Sequence, residues 1–81
     1  MKIKYFAWIK DITGYGEEQI DSNEINNLDK LKFFIISKYP DLKKHFDQEI
    51  LRFAVNQEHI VENIDLKKDD EIAVFPPVSG G

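Results

Sequence analysis

"NNLDKLKFFIISKYP", Asn26 to Pro40, is the stretch on which the fold turns. At Asn26-Asn27 an amide side chain can accept a backbone N–H and cap a helix, and Leu28, Leu31, Phe34, Ile35 and Tyr39 then recur at helical spacing. Pro40, with no N–H to donate, ends the run. Phe33 and Ile36 fall on the opposite side of this helix, and the segment after Pro40 is expected to cover them.

Strand patterns lie on both sides of the helix. Upstream, "KIKYFAWI" (Lys2 to Ile9) alternates and is rich in aromatic and β-branched residues, which predicts a strand with Ile3, Tyr5, Ala7 and Ile9 on one face and Lys2, Lys4, Phe6 and Trp8 on the other. "TGYG" (Thr13 to Gly16) supplies glycines at loop spacing, and "EEQIDSNEI" (Glu17 to Ile25) is a second, more polar strand candidate. Downstream, Leu42, Phe46 and Ile50 are spaced i, i+4, i+8 in a loop or short helical turn and form a satellite to the core. "LRFAVN" (Leu51 to Asn56) points Leu51, Phe53 and Val55 inward, and "HIV" (His59 to Val61) is a short strand after a turn at Gln57-Glu58. "LKKDDE" (Leu66 to Glu71) is a polar connection into a last strand, "EIAVF" (Glu71 to Phe75), with Ile72 and Val74 inward.

Two strands, one long helix and two or three returning strands make an α+β chain. The expected arrangement is a β-grasp, with a mixed sheet of four to five strands and one main helix. The helix serves as the long crossover that a parallel pairing of first and last strands requires. The domain is taken as residues 1–75, with 76–81 as an extended tail. At 81 residues the chain holds one core, with about 60–65% of its unfolded surface buried.

Several classes fall away on composition. There is no cysteine, so neither a disulfide nor a thiolate metal site is available, and any sulfur must come from outside. Eleven Lys plus Arg against fifteen Asp plus Glu, interspersed, argue against a nucleic-acid surface. No apolar run reaches the roughly 20 residues of a membrane span, and no signal-peptide core is present, so a cytoplasmic protein is expected. His45 and His59 are far apart in sequence with nothing to force a metal site. "TGYGEE" lacks the lysine and following helix of a phosphate loop, and Ser79 and Thr13 have no histidine partner.

Two features remain that point outward. If Ile3 and Tyr5 face the helix, alternation sends Phe6 and Trp8 to the far face, where the last strand also turns Ala73 and Phe75. Such an exposed apolar patch marks a protein interface. Phe75 is also the root of "FPPVSGG" (Phe75 to Gly81). Pro76 and Pro77 hold the chain extended, and Val78, Ser79, Gly80 and Gly81 taper until no side chain is left. A slender arm of this kind can enter a narrow channel and deliver the Gly81 carboxylate, which becomes reactive once another protein activates it, for example as a mixed anhydride with AMP. The tail is expected to act as a substrate.

These residues resemble a known family. "FPPVSGG", preceded by "DDEIAVF" (Asp69 to Phe75) and "AVNQEHI" (Ala54 to Ile60), is similar to the small, ubiquitin-like subunit of molybdopterin synthase, the MoaD-type sulfur carriers. The length, the "KYFAWIKDITG" opening (Lys4 to Gly14) and the helix ending at Tyr39-Pro40 also fit. The resemblance implies that Gly81 is adenylated by an E1-like enzyme at the expense of ATP and converted to a thiocarboxylate. It implies that the arm, Phe75, Pro76, Pro77, Val78, Ser79 and Gly80, enters the large synthase subunit. There sulfur passes to cyclic pyranopterin monophosphate. The resemblance further implies a carrier that binds no cofactor, in an assembly of two large and two small subunits, with Phe6 and Phe75 where the family docks its partners. Trp8 and Ala73, from alternation, and His59 are expected beside them as docking residues. "FFII" (Phe33 to Ile36) is more apolar than the family's usual helix, and His59 stands where an interface would favour an apolar residue. Carriers for thiamine or tRNA thiolation, protein-conjugating modifiers, and a binding module with an inert tail remain alternatives.

Overall fold

A computed structural model describes residues 1–21 and 23–77 of the chain. Its elements run β1 (Lys2–Tyr5), α1 (Trp8–Thr13), β2 (Glu17–Gln19), α2 (Leu28–Lys38), a 3-10 turn (Pro40–Leu42), α3 (Lys43–Asp47), β3 (Arg52–Val55), β4 (Glu58–Ile60) and β5 (Glu71–Phe75). The five strands form one sheet in the order β2-β1-β5-β3-β4, with β1 parallel to β5 and the other pairs antiparallel. This is the β-grasp arrangement, with α2 as its main helix.

Helix α2 starts where the amides allow it. Asn27 is extended, and its side chain accepts the Lys30 N–H at 2.8 Å, while Asn63 accepts the Asp29 N–H at 2.9 Å. Two of the orphan donors of the first turn are thereby satisfied. Leu28, Leu31 and Ile35 are buried, and the helix closes as the Tyr39 N–H donates to Ile35 ahead of Pro40. Across the sheet, Tyr5, Val74, Phe53 and Ile60 share one row on the side that faces the core, and Ile3 and Ile72 share another. Ile3, Ile9, Leu31, Ile35, Leu42, Ile72 and Val74 are fully buried. Each such side chain contributes about 1.5–3 kcal/mol of transfer free energy.

The structure departs from the sequence reading in several places, among them β2, which ends at Gln19 where the candidate strand ran to Ile25. The first strand ends at Tyr5, because Ala7 adopts φ 56 and turns the chain, so Ala7 is exposed and not inward. Beyond that turn the chain enters α1, in which Ile9, Ile12 and Thr13 face the core at helical spacing, closed by Gly14 at φ 81. Phe33 remains 73% exposed, whereas Ile36 is half-buried against the core. The segment after Pro40 is drawn toward the sheet instead, since it has Leu42 and Phe46 to bury. Leu42 is accordingly part of the main core and not a satellite. The turn of the β3–β4 hairpin is Asn56-Gln57, one residue earlier than expected, with both residues at positive φ (52 and 71) as a twisted two-residue hairpin requires. Asn56 is held there by its side chain, which accepts the Glu71 N–H at 3.0 Å and donates to Asp70 at 2.9 Å.

Among the described residues no helix is long and apolar enough to cross a membrane.

Candidate functional site

The helices leave the other face of the sheet open, and strand register determines what it displays. Lys4, Ala73, Ala54 and His59 form one row across β1, β5, β3 and β4. Phe75 and Arg52 pair in the next row, toward the end of β5 from which the tail departs. Phe6 lies one residue past β1, yet its N–H still donates to the Val74 carbonyl at 3.1 Å, which keeps it tied to β5. Its side chain is 46% exposed. The His59 ring is 5.9 Å from that of Phe75, tilted by 57°. Phe6, Phe75 and His59 thus surround a floor of two alanines, and the backbone of β5 runs from this patch into half-buried Pro76 and exposed Pro77.

The opposite end of the same face is polar. Lys2 pairs with Glu17 at 3.4 Å and Lys4 with Glu71 at 2.6 Å. The hydrogen bond with Glu71 raises the Lys4 pKa and lowers that of Glu71. Exposed pairs of this kind add little to stability, but they divide the face into a charged half and an apolar half. The apolar half is the one that adjoins the tail.

Trp8 does not belong to this patch. The turn at Ala7 carries it into α1, where its ring sits 4.7 Å from that of His45 on α3. Helix α3 stacks Phe46 on Phe53, whose side chain faces the core, so the Trp8–His45 pair lies on the helical side of the sheet. Ala73 and His59 remain on the open face with Phe6 and Phe75. Val78, Ser79, Gly80 and Gly81 lie outside the described residues.

Sequence reasoning passed over Glu18. On the core side of β2, its carboxylate accepts from Tyr5 Oη at 2.5 Å, from Lys38 Nζ at 2.7 Å and from Tyr39 Oη at 3.2 Å. Burial favours the neutral acid, but the bonds from Lys38, Tyr5 and Tyr39 together outweigh it and hold the pKa below the ordinary carboxylate value. Burial and the bond to Glu18 push the Tyr5 hydroxyl far up. The cluster ties β1, β2 and the end of α2 together. Its sequence signal was the polarity of "EEQ" on a strand opposite Tyr5, which alternation alone assigns to solvent.

The comparisons agree with the geometry. The ThiS family profile matches residues 3–81. The molybdopterin synthase sulfur carrier subunit of Dictyostelium discoideum is 39% identical over 87 residues, spanning 99% of this chain and 94% of that protein. Among solved structures, a protein described as molybdopterin converting factor, subunit 1, from Pyrococcus furiosus superposes with a TM-score of 0.82 at 29% identity over 95% of each chain. The small archaeal modifier protein 1 of Methanosarcina acetivorans superposes with a TM-score of 0.75 at 27% identity, over 99% of this chain and 94% of that one. With its β-grasp sheet and a family match that runs through the tail, the chain belongs to the ThiS family.

Proposed function

We propose that this protein is the sulfur-carrier subunit of a molybdopterin synthase and works through the carboxylate of Gly81. The observation that carries the reading is the continuity of β5. One strand supplies Phe75 to the apolar half of the open face and passes straight into Pro76-Pro77, so docking the face delivers the tail in a defined direction. The full-length likeness to molybdopterin synthase sulfur carrier subunits supports the pathway. In this reading an E1-like enzyme lets the Gly81 carboxylate attack ATP, forming an acyl-adenylate and releasing pyrophosphate. A sulfur nucleophile then displaces AMP and leaves a thiocarboxylate. The open face docks on the large synthase subunit, Val78 to Gly81 thread into its active site, and sulfur passes to cyclic pyranopterin monophosphate. The carrier contributes no catalytic side chain and binds no cofactor; ATP is consumed by its partner. Two carriers and two large subunits form the complex, in the cytoplasm.

A second reading is favoured by the likeness to the Methanosarcina modifier protein: the activated Gly81 is passed to a lysine amine of another protein. Intact-mass spectrometry after incubation with ATP, a sulfur donor and the cognate activating enzyme separates the two. Exchange of one oxygen for one sulfur at the C-terminus, lost on deletion of Gly81, is the expected result. An unchanged mass, with the activating enzyme competent on another carrier, would refute the sulfur reading. Amide-linked adducts of Gly81 on lysine would favour the modifier.

A further inference from the structure

Arg52 is the only arginine in the chain; the other ten basic residues are lysines. It opens β3 on the open face, in register with Phe75 at the root of the tail. Its Nη1 donates to the Glu49 carbonyl at 2.6 Å, and Glu49 stands at φ 58 in the turn that leads into β3. That bond occupies one of five guanidinium donors. It restrains the side chain but leaves its charge in place. Lys2, Lys4, Lys38 and Lys43 each have a carboxylate partner, whereas Arg52 has no ion pair among the described residues.

The combination is specific. A planar fork with donors to spare, already partly immobilised, meets a carboxylate bidentately at a smaller entropic cost than a free lysine would. Its neighbour Phe75 supplies apolar surface that excludes water once covered, which strengthens a charge-assisted bond beside it. The chain as a whole carries a net charge of −4, and Glu17 and Glu71 occupy the far half of the same face. A broadly acidic partner would be repelled, so complementarity here is local to one cation.

We propose that Arg52 anchors the docking surface, and that the partner presents a carboxylate next to the apolar hollow that receives Phe75. This rests on the reading that the open face docks on the large synthase subunit. The contact fixes the register in which the tail enters, because a carboxylate displaced along β5 toward its start meets Glu71 and a lysine, Lys4, that Glu71 already pairs.

The test is calorimetric titration of the cognate large subunit with the full-length carrier and its Arg52→Gln, Arg52→Lys and Phe75→Ala variants, at low and high salt. Arg52→Gln is expected to weaken binding by about 10- to 100-fold and to flatten its salt dependence. Arg52→Lys should recover only part of the loss, since an ammonium cannot form the fork. If Arg52→Gln fails to fold, Arg52→Lys decides: it keeps a donor for the Glu49 carbonyl, and full affinity would overturn the proposal. Full affinity and unchanged salt dependence in Arg52→Gln, with Phe75→Ala weakened, would discard the anchor and leave the docking face in place. If neither variant weakened binding, the docking reading itself would fall, and the anchor with it.

Discussion

The two sides of β5 are built from alternate residues of one short strand and obey different physics. Ile72 and Val74 are wholly removed from solvent beneath α2, while Ala73 and Phe75 on the other side are only half-covered. On the core side, apolar area explains the residue types completely: Val74 lies between Tyr5 and Phe53 in the sheet, and any loss of volume there leaves a void. On the open side the same hydrophobicity has no internal use. An aromatic kept half-exposed at the root of a tail, next to a histidine ring and an arginine with no ion pair among the described residues, has the composition of an interface core and not of a random surface. The lesson is that burial identifies what folds the chain, and incomplete burial identifies what the fold is for.

That contrast breaks if the faces exchange roles under mutation. The largest effect should come from Ile72→Ala, a fully buried position, at about 2–5 kcal/mol of stability. Set against roughly 4–12 kcal/mol for a domain of this size, the loss is severe, and urea denaturation would measure it. Affinity for the large subunit, per folded molecule, should be retained. Phe75→Ala should behave in the opposite way, costing about 1–4 kcal/mol of partner binding and under about 1 kcal/mol of stability. A Phe75→Ala protein that unfolded as readily as Ile72→Ala would show that the open face is part of the core.

The smallest effect concerns Glu18, which belongs to the core side yet is polar. Its folded-state pKa lies below the ordinary value of 4.5, so the stability it contributes is fully present above that pH and is lost as pH falls through and below it. Glu18→Gln should therefore cost about 1 kcal/mol near neutrality, after allowance for partial solvent screening, and should flatten the fall of the unfolding midpoint in acid. An unaltered acid profile would show that the carboxylate contributes nothing through its bonds to Tyr5, Lys38 and Tyr39.

Much of this was legible in the residues. Asn27 and Pro40 bracket the main helix because one accepts an N–H that the helix start leaves unpaired and the other has none to give. Ile3, Tyr5, Phe53, Val55, Ile72 and Val74 alternate because a pleated strand has a period of two, and the parallel pairing of β1 with β5 comes from the helical crossover. The apolar pair Phe6 and Phe75 also came from alternation. Trp8 did not survive the same reasoning, since "FAWI" satisfies a strand period while Ile9, Ile12 and Thr13 satisfy a helical one, and the two shared residues, Trp8 and Ile9, cannot separate the two.

By itself the sequence determined periodicity, caps and stops, the lack of a thiol, and an arm of prolines leading to glycines, all of which depend on residues close together in the chain. Tertiary structure alone decided where β1 ends, that Phe33 stays in solvent while Leu42 takes the core, that Glu18 is shared by Tyr5, Lys38 and Tyr39, and that Arg52 comes into register with Phe75. The physical reason is the same in each case. These outcomes depend on competition for a single buried volume and on partners distant in the chain, such as Glu18 and Tyr39, 21 positions apart, and no local pattern encodes which competitor wins.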